Sequence, residues 1–166
     1  MRYRGEGTTS VGWKGELLLH QLVLKISISC GMVGVRNGVG IFINFELARS
    51  VIVVERFGDR MMKVKMVLGR TVFHISSVYA LQVGRSEEEK MEFWERFQDM
   101  VVGVPISEGV IVGGDVIGHI GSSRVRYDDV MGSFGLDNRN TEGGTVLDFC
   151  RNHQLRILNT YSKKAR

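Results

Sequence analysis

Proline is nearly absent: Pro105 is the only one in 166 residues, where about 5% is usual, so chain reversals fall to the 21 glycines. Cysteine is equally scarce. Cys30 and Cys150 are far apart in the chain, with no C-x-x-C and no tandem Cys/His spacing, which excludes a disulfide scaffold and a zinc ribbon and makes a reducing compartment the default. No apolar run approaches the ~20 residues that span a bilayer. The longest, Leu17 to Leu24, is broken by His20 and Gln21, so neither a transmembrane helix nor a membrane partner is expected. Arg2 and Arg4 open the chain, but Glu6, Lys14 and Glu16 precede that run, which argues against a signal peptide. Charge of neither sign dominates: 22 Lys+Arg against 18 Asp+Glu gives +4 and a pI near 9.3, compatible with a polyanionic partner without requiring one. The chain has no G-x-x-x-x-G-K-[ST], no G-x-S-x-G and no H-E-x-x-H, and Gly34 to Gly40 lacks the dinucleotide-binding spacing, so no small-molecule cofactor is expected.

What is present reads as a globular α/β chain, with 43% hydrophobic and 24% charged residues. Residues 1–35 form a poorly defined N-terminal segment; from residue 36 the pattern sharpens into the domain proper, 36–166. GVGIFINFEL, SVIVVERFGDRMMKVKMVLG and TVFHISSVYA predict a strand meander. Phe57-Gly58-Asp59-Arg60 is the expected connection between strands at Val51–Val54 and Lys63–Val67. In the second of these Met62, Val64 and Met66 alternate with Lys63 and Lys65, which predicts one basic face.

Ser86-Glu87-Glu88-Glu89 is a capping box, and Phe93, Trp94, Phe97, Met100 and Val101 recur every three or four residues, so an amphipathic helix starts there. Gly109–Asp115 is short, apolar and glycine-ended, and predicts a buried central strand. A loop to about Gly143, a short helix around Val146–His153 and a last strand at Leu155–Leu158 complete the expected order. Strand, helix, strand, helix, strand after a meander makes the sheet mixed.

Asp115 falls at the C-terminal end of the buried strand, where α/β sheets place reactive groups. His119 lies four residues on, in reach as a base if the loop curls back. Tyr79 ends another predicted strand, so its hydroxyl can reach the same crevice. Each has a plainer reading: Asp115 satisfying backbone N–H groups, His119 solvated, Tyr79 a core residue with a wet tip. Cys150 and His153 on one helix read as core plus surface rather than a metal pair.

Several short motifs occur in order: Asn37-Gly38-Val39-Gly40-Ile41, Val78-Tyr79-Ala80-Leu81-Gln82, the acidic helix with Phe93-Trp94, Gly113-Gly114-Asp115 followed by Gly118-His119-Ile120-Gly121, and Asn138-Arg139-Asn140 with Leu147-Asp148-Phe149-Cys150. From about residue 36 to 160 this order resembles the endonuclease/exonuclease/phosphatase superfamily. Within it the chain is most similar to the apurinic-like endonuclease domain of non-LTR (LINE-type) retrotransposons and to craniofacial development protein two-like chains. The resemblance implies a partial four-layer α/β sandwich with mixed, largely antiparallel sheets. It also implies a Mg²⁺-dependent phosphodiesterase that nicks DNA, acting inside the cell and in the nucleus. By the same resemblance Tyr79 and Gln82 touch the phosphate, Asp115 handles the nucleophile or the metal, and His119 follows the family histidine with its role open.

The chain also departs from the family pattern. Ile117 stands where the asparagine of G-D-x-N donates to the phosphate, Ser10 where a metal-binding glutamate belongs, and Leu81 replaces the proline of Y-A-P. The sequence ends at Arg166, before the family's C-terminal strands and Ser-Asp-His motif. The resemblance therefore implies a truncated, degenerate nuclease of weak or absent activity, and the alternative is a non-catalytic nucleic-acid-binding or interaction relic using the excess basic charge outside the acidic helix together with strand-borne Lys63, Lys65 and Arg70.

Overall fold

Alternation along the middle of the chain becomes a sheet with two differently covered faces. The computed structural model describes residues 26–33, 36–81, 84–116, 118–135 and 138–161. Strands β1 (Ile26–Val33) and β2 (Arg36–Ile43) pair antiparallel, while residues 1–25 of the expected N-terminal segment lie outside the described residues. A single helical turn, α1 (Phe45–Ala48), follows where the sequence suggested continued strand. Asn44 stops the strand, because its side-chain oxygen accepts from the Leu47 N–H at 3.0 Å and caps the turn.

Strands β3 (Val51–Arg56), β4 (Met61–Leu68), β5 (Thr71–Tyr79) and β6 (Gly109–Asp115) form a four-stranded sheet in that order. The first three are antiparallel, and β6 joins β5 in parallel after the helix α2 (Glu87–Val102). The fold is α/β with a mixed sheet. Residues 57–60 connect β3 to β4 as the sequence suggested. The strand Gly109–Asp115 is not central: among the described residues β6 is an edge, with β5 as its one neighbour in the sheet. Its apolar run reflects cover on both faces, since Ile111 packs toward the hairpin while Val110 and Val112 are buried under the helices.

On one face Met62, Val64 and Tyr79 pack against Val39, Ile41 and Ile43 of the hairpin, continuing into Met66, Phe73 and Ile75. On the other, Met61, Val78, Val110 and Val112 meet α2 and a second helix, α3 (Thr141–Asn152). Two of the expected sandwich layers are thus sheets and a third is helical. The Ser86 capping box is present in both directions, and Phe93, Phe97, Met100 and Val101 form the buried stripe of α2. Phe97 stacks on Phe149 with centroids 4.4 Å apart, joining the two helices.

The end of the chain differs from expectation in two places. Helix α3 begins at Thr141, ahead of the predicted Val146, because Asn140 caps it and Gly143-Gly144 is helical rather than loop. Leu155–Leu158 does not form a sheet strand; Ile157 makes one parallel bridge to Met131, and a 3-10 turn takes over at Leu158–Thr160. Among the described residues no helix is long and apolar enough to cross a membrane.

The basic face expected on β4 is neutralised within the fold. Lys63 is buried, pairs with Glu55 on β3 at 3.1 Å and lies 5.1 Å from the Phe57 ring centroid. Lys65 pairs with Glu108 at 3.1 Å, and the same carboxylate takes Nε2 of buried His74 at 2.5 Å. A buried cation needs such partners, because its desolvation otherwise costs more than packing returns.

Candidate functional site

The C-terminal ends of β5 and β6 bring two of the sequence candidates together. Parallel register sets Tyr79 directly beside Asp115, and the Ala80 N–H donates to the Asp115 carbonyl at 2.9 Å. Adjacent strands lie about 4.8 Å apart, so the two residues leave the same sheet rim as neighbours. The approach depends on Gly114. Its φ is +145°, and a Cβ there would run into the Val78 carbonyl on β5. A side chain at 114 would push Asp115 away from Tyr79.

Asp115 is half-buried, and burial alone pushes its carboxyl above the ordinary aspartate range. Among the described residues no ion pair or hydrogen bond reaches this carboxylate to offset that burial. The plainer reading, a carboxylate saturated by backbone N–H groups, does not describe this side chain. Tyr79 is more enclosed: at 9% exposure it belongs to the cluster with Met62, Val64 and Val39.

Sequence reasoning passed over Arg60. It ends the β3–β4 turn, and its carbonyl accepts from the Tyr79 N–H at 2.8 Å, which places it across from Tyr79 on the side away from Asp115. Its guanidinium carbon lies 5.3 Å from the Tyr79 ring centroid, and Nη1 donates to the Ala80 and Tyr79 carbonyls at 3.2 and 3.5 Å. The available signal was register: once the hairpin turn at Phe57–Arg60 is set, residue 60 must face residue 79.

The loop after β6 is fixed to the start of α3. The Asn140 side-chain oxygen accepts from the His119 N–H at 2.9 Å and from the Gly143 N–H at 2.8 Å, and the Asn140 N–H donates to the His119 carbonyl at 3.0 Å. Gly143 permits this contact, because a Cβ there would overlap the His119 carbonyl. Arg139 pins the next part of the loop by donating to the Ile120 carbonyl at 3.0 Å while it covers the Tyr127 ring. His119 itself is exposed, and no hydrogen bond joins its ring to Asp115. Gln82 and Ile117 lie outside the described residues.

Two clefts flank the rim on the helix side. One of about 510 Å³ runs between the starts of α2 and α3, beside Ala80, Leu81 and Trp94. A smaller one of about 220 Å³ has Arg60, Phe57 and Phe93 in its wall. Cys150 is not a reactive group of this region, because burial pushes its thiol up to about 12, and His153 lies against Phe149 with centroids 4.4 Å apart.

As a metal centre the rim is sparse. Among the described residues no three His, Cys, Asp or Glu side chains converge, and Asp115 is the one carboxylate that the β5–β6 rim carries. Mg²⁺ keeps much of its water and uses one or two carboxylates together with phosphate oxygens. This donor set therefore fits an ion that arrives with a phosphate and does not fit a resident one.

No protein-family model matches the chain, and no solved structure matches it. Two curated relatives do match over 132 residues, 79% of this chain: craniofacial development protein 2 of Bos taurus at 28% identity and that of Tragulus javanicus at 27%. The matched stretch covers 22% and 23% of those proteins, so the chain spans well under half the length of the relatives it matches. The chain is thus distantly similar to craniofacial development protein 2 over that stretch.

Proposed function

We propose that this chain is a degenerate endonuclease/exonuclease/phosphatase-type domain of retrotransposon origin that engages DNA phosphate at the Tyr79–Asp115 rim and cleaves it slowly or not at all. The observation that carries the reading is the juxtaposition itself. A phenol and an uncompensated, half-buried carboxylate share one rim at the carboxyl ends of parallel strands. The ordered motifs and the distant similarity to craniofacial development protein 2 point the same way. A nuclear site of action follows from the DNA partner.

The low rate follows from what the rim lacks. Asp115 alone can orient water or hold one position of a phosphate-borne Mg²⁺, and such an ion would polarise the phosphorus–oxygen bond. Isoleucine at 117 has no hydrogen to donate to a developing oxyanion. By analogy with oxyanion holes, one missing donor costs about 100- to 1000-fold in rate. The non-catalytic alternative loses two of its strand-borne cations, because Lys63 and Lys65 are paired with Glu55 and Glu108.

Nicking of supercoiled plasmid with Mg²⁺ tests the reading. Trace nicking that Asp115→Ala removes, or none with DNA binding retained, is expected. Fast nicking abolished by Asp115→Ala would overturn the degenerate assignment, and absence of any DNA binding would overturn the substrate.

A further inference from the structure

We infer that Arg60 is an oxyanion-binding residue, forming with Tyr79 a site for one phosphate group at the rim; this rests on the proposed function and extends it to a residue outside the recognised motifs. Three strands contribute to the rim in sequence across the sheet. Arg60 enters β4 opposite Tyr79, and Tyr79 is beside Asp115, so a cation, a phenol and a carboxylate follow one another across β4, β5 and β6.

The donors of Arg60 are only partly used. A guanidinium has five N–H donors in a fixed fork that matches phosphate oxygens. Here Nη1 donates to two carbonyls, while among the described residues Nη2 and Nε make no hydrogen bond. Among the described residues Arg60 forms no ion pair. The neighbouring carboxylates that line its cleft are otherwise engaged: Glu92 pairs with Arg96 at 2.6 Å, and Glu89 pairs with Arg85 while closing the Ser86 capping box. Asp59 is the remaining acid of that cleft and is exposed. Among the described residues Asp115 makes no ion pair or hydrogen bond with Arg60 either.

The guanidinium is thus half-buried, oriented by two carbonyls and an aromatic ring, and short of an anion. The two carbonyls fix the fork but carry only partial charge. A phosphate oxyanion would take the unspent Nη2 and Nε, an arrangement in which charge-assisted hydrogen bonds are strongest. The source of the phosphate is either a free phosphate group or the backbone of a nucleic acid.

The test uses the whole chain and two probes: inorganic phosphate followed by thermal unfolding, and a short DNA duplex followed by fluorescence anisotropy over a salt series. Each variant is compared with its own ligand-free midpoint, so Arg60→Gln reports even if it is less stable. Expected for Arg60→Gln is loss of the phosphate-induced rise, about tenfold weaker duplex binding, and a log–log salt slope shallower by about 0.9, the value for one phosphate contact. Arg60→Lys keeps the charge and recovers part of both, while Arg70→Gln, at the opposite end of β5, changes neither. Phosphate binding through Arg60 without duplex binding would leave the site standing and sink the DNA reading. Duplex binding indifferent to Arg60→Gln would sink the site and leave the DNA reading. No response to either probe would overturn both.

Discussion

Gly114→Ala should be among the most damaging single-methyl additions in this chain, and Gly144→Ala should stabilise it. At 114 the backbone has φ +145°, outside the range an L side chain adopts easily, and the new Cβ would collide with the carbonyl and backbone of Val78 on the adjacent strand. Backbone strain of this kind costs about 1–3 kcal/mol, and forcing apart a packed contact adds about 1–3 kcal/mol. The sum is about 2–6 kcal/mol. For a chain of this length each kcal/mol moves the unfolding midpoint by about 2–4 °C, so a drop of at least about 4 °C is expected. Gly144 lies inside α3, and a Cβ there has nothing within 4 Å. Alanine at that position gains about 0.5–1 kcal/mol of helix propensity, a rise of about 1–4 °C. Differential scanning fluorimetry of the two variants side by side is sufficient. Equal shifts, or a Gly114→Ala midpoint at the wild-type value, would refute the claim that β5 and β6 approach so closely at the rim.

Other substitutions test separate parts of the account. Asp115→Asn should raise the unfolding midpoint at pH 7. The folded-state carboxyl is raised above the ordinary aspartate value, so its ionised form costs stability at pH values above that, and the advantage of Asn should vanish as pH falls below it; a destabilised Asp115→Asn at pH 7 would show that a partner holds the charge. Glu108→Gln should remove part of the acid limb of stability. His74, then Lys65, lowers the Glu108 carboxyl below 4.5, so this stabilisation is present above that pH and is lost as pH falls through the folded value. The pH profile of urea unfolding checks it, and an unchanged acid limb would contradict it. Asn140→Ala strips the cap from α3 and releases the His119 N–H together, and should cost about 1–2 kcal/mol in urea unfolding; a loss of only a few tenths would mean that solvent replaces both bonds.

Features that depend on neighbours in sequence were legible in advance. The Ser86–Glu89 box and the stripe from Phe93 to Val101 are local, so the sequence alone places α2. The same holds for β4, whose alternation of Met62, Val64 and Met66 with lysines follows from the strand period. Features that depend on register were not legible. The partners of Lys63 and Lys65 sit on β3 and in the turn before β6, and nothing local to the lysines announces Glu55 or Glu108. Arg60 reads as one more turn residue until β4 is set against β5. The glycine-rich stretch to about Gly143 suggested loop, yet Gly143 is needed where the His119 carbonyl approaches α3, and Asn140 was available as the cap that starts the helix earlier. Asp115 and Tyr79 were both singled out at strand ends, but their adjacency required knowing that β6 joins β5 in parallel.

The central claim is that the rim takes a DNA phosphate, with Asp115 as the one carboxylate that the described residues place there for a metal carried with it. Thermal unfolding with a short duplex, titrated with Mg²⁺, addresses it directly, because a ligand bound only by the folded state must raise the midpoint. The account predicts a rise that needs duplex and Mg²⁺ together, and its loss in Asp115→Ala measured against that variant's own ligand-free midpoint. A rise with Mg²⁺ alone, or a duplex response that Asp115→Ala leaves intact, would contradict it.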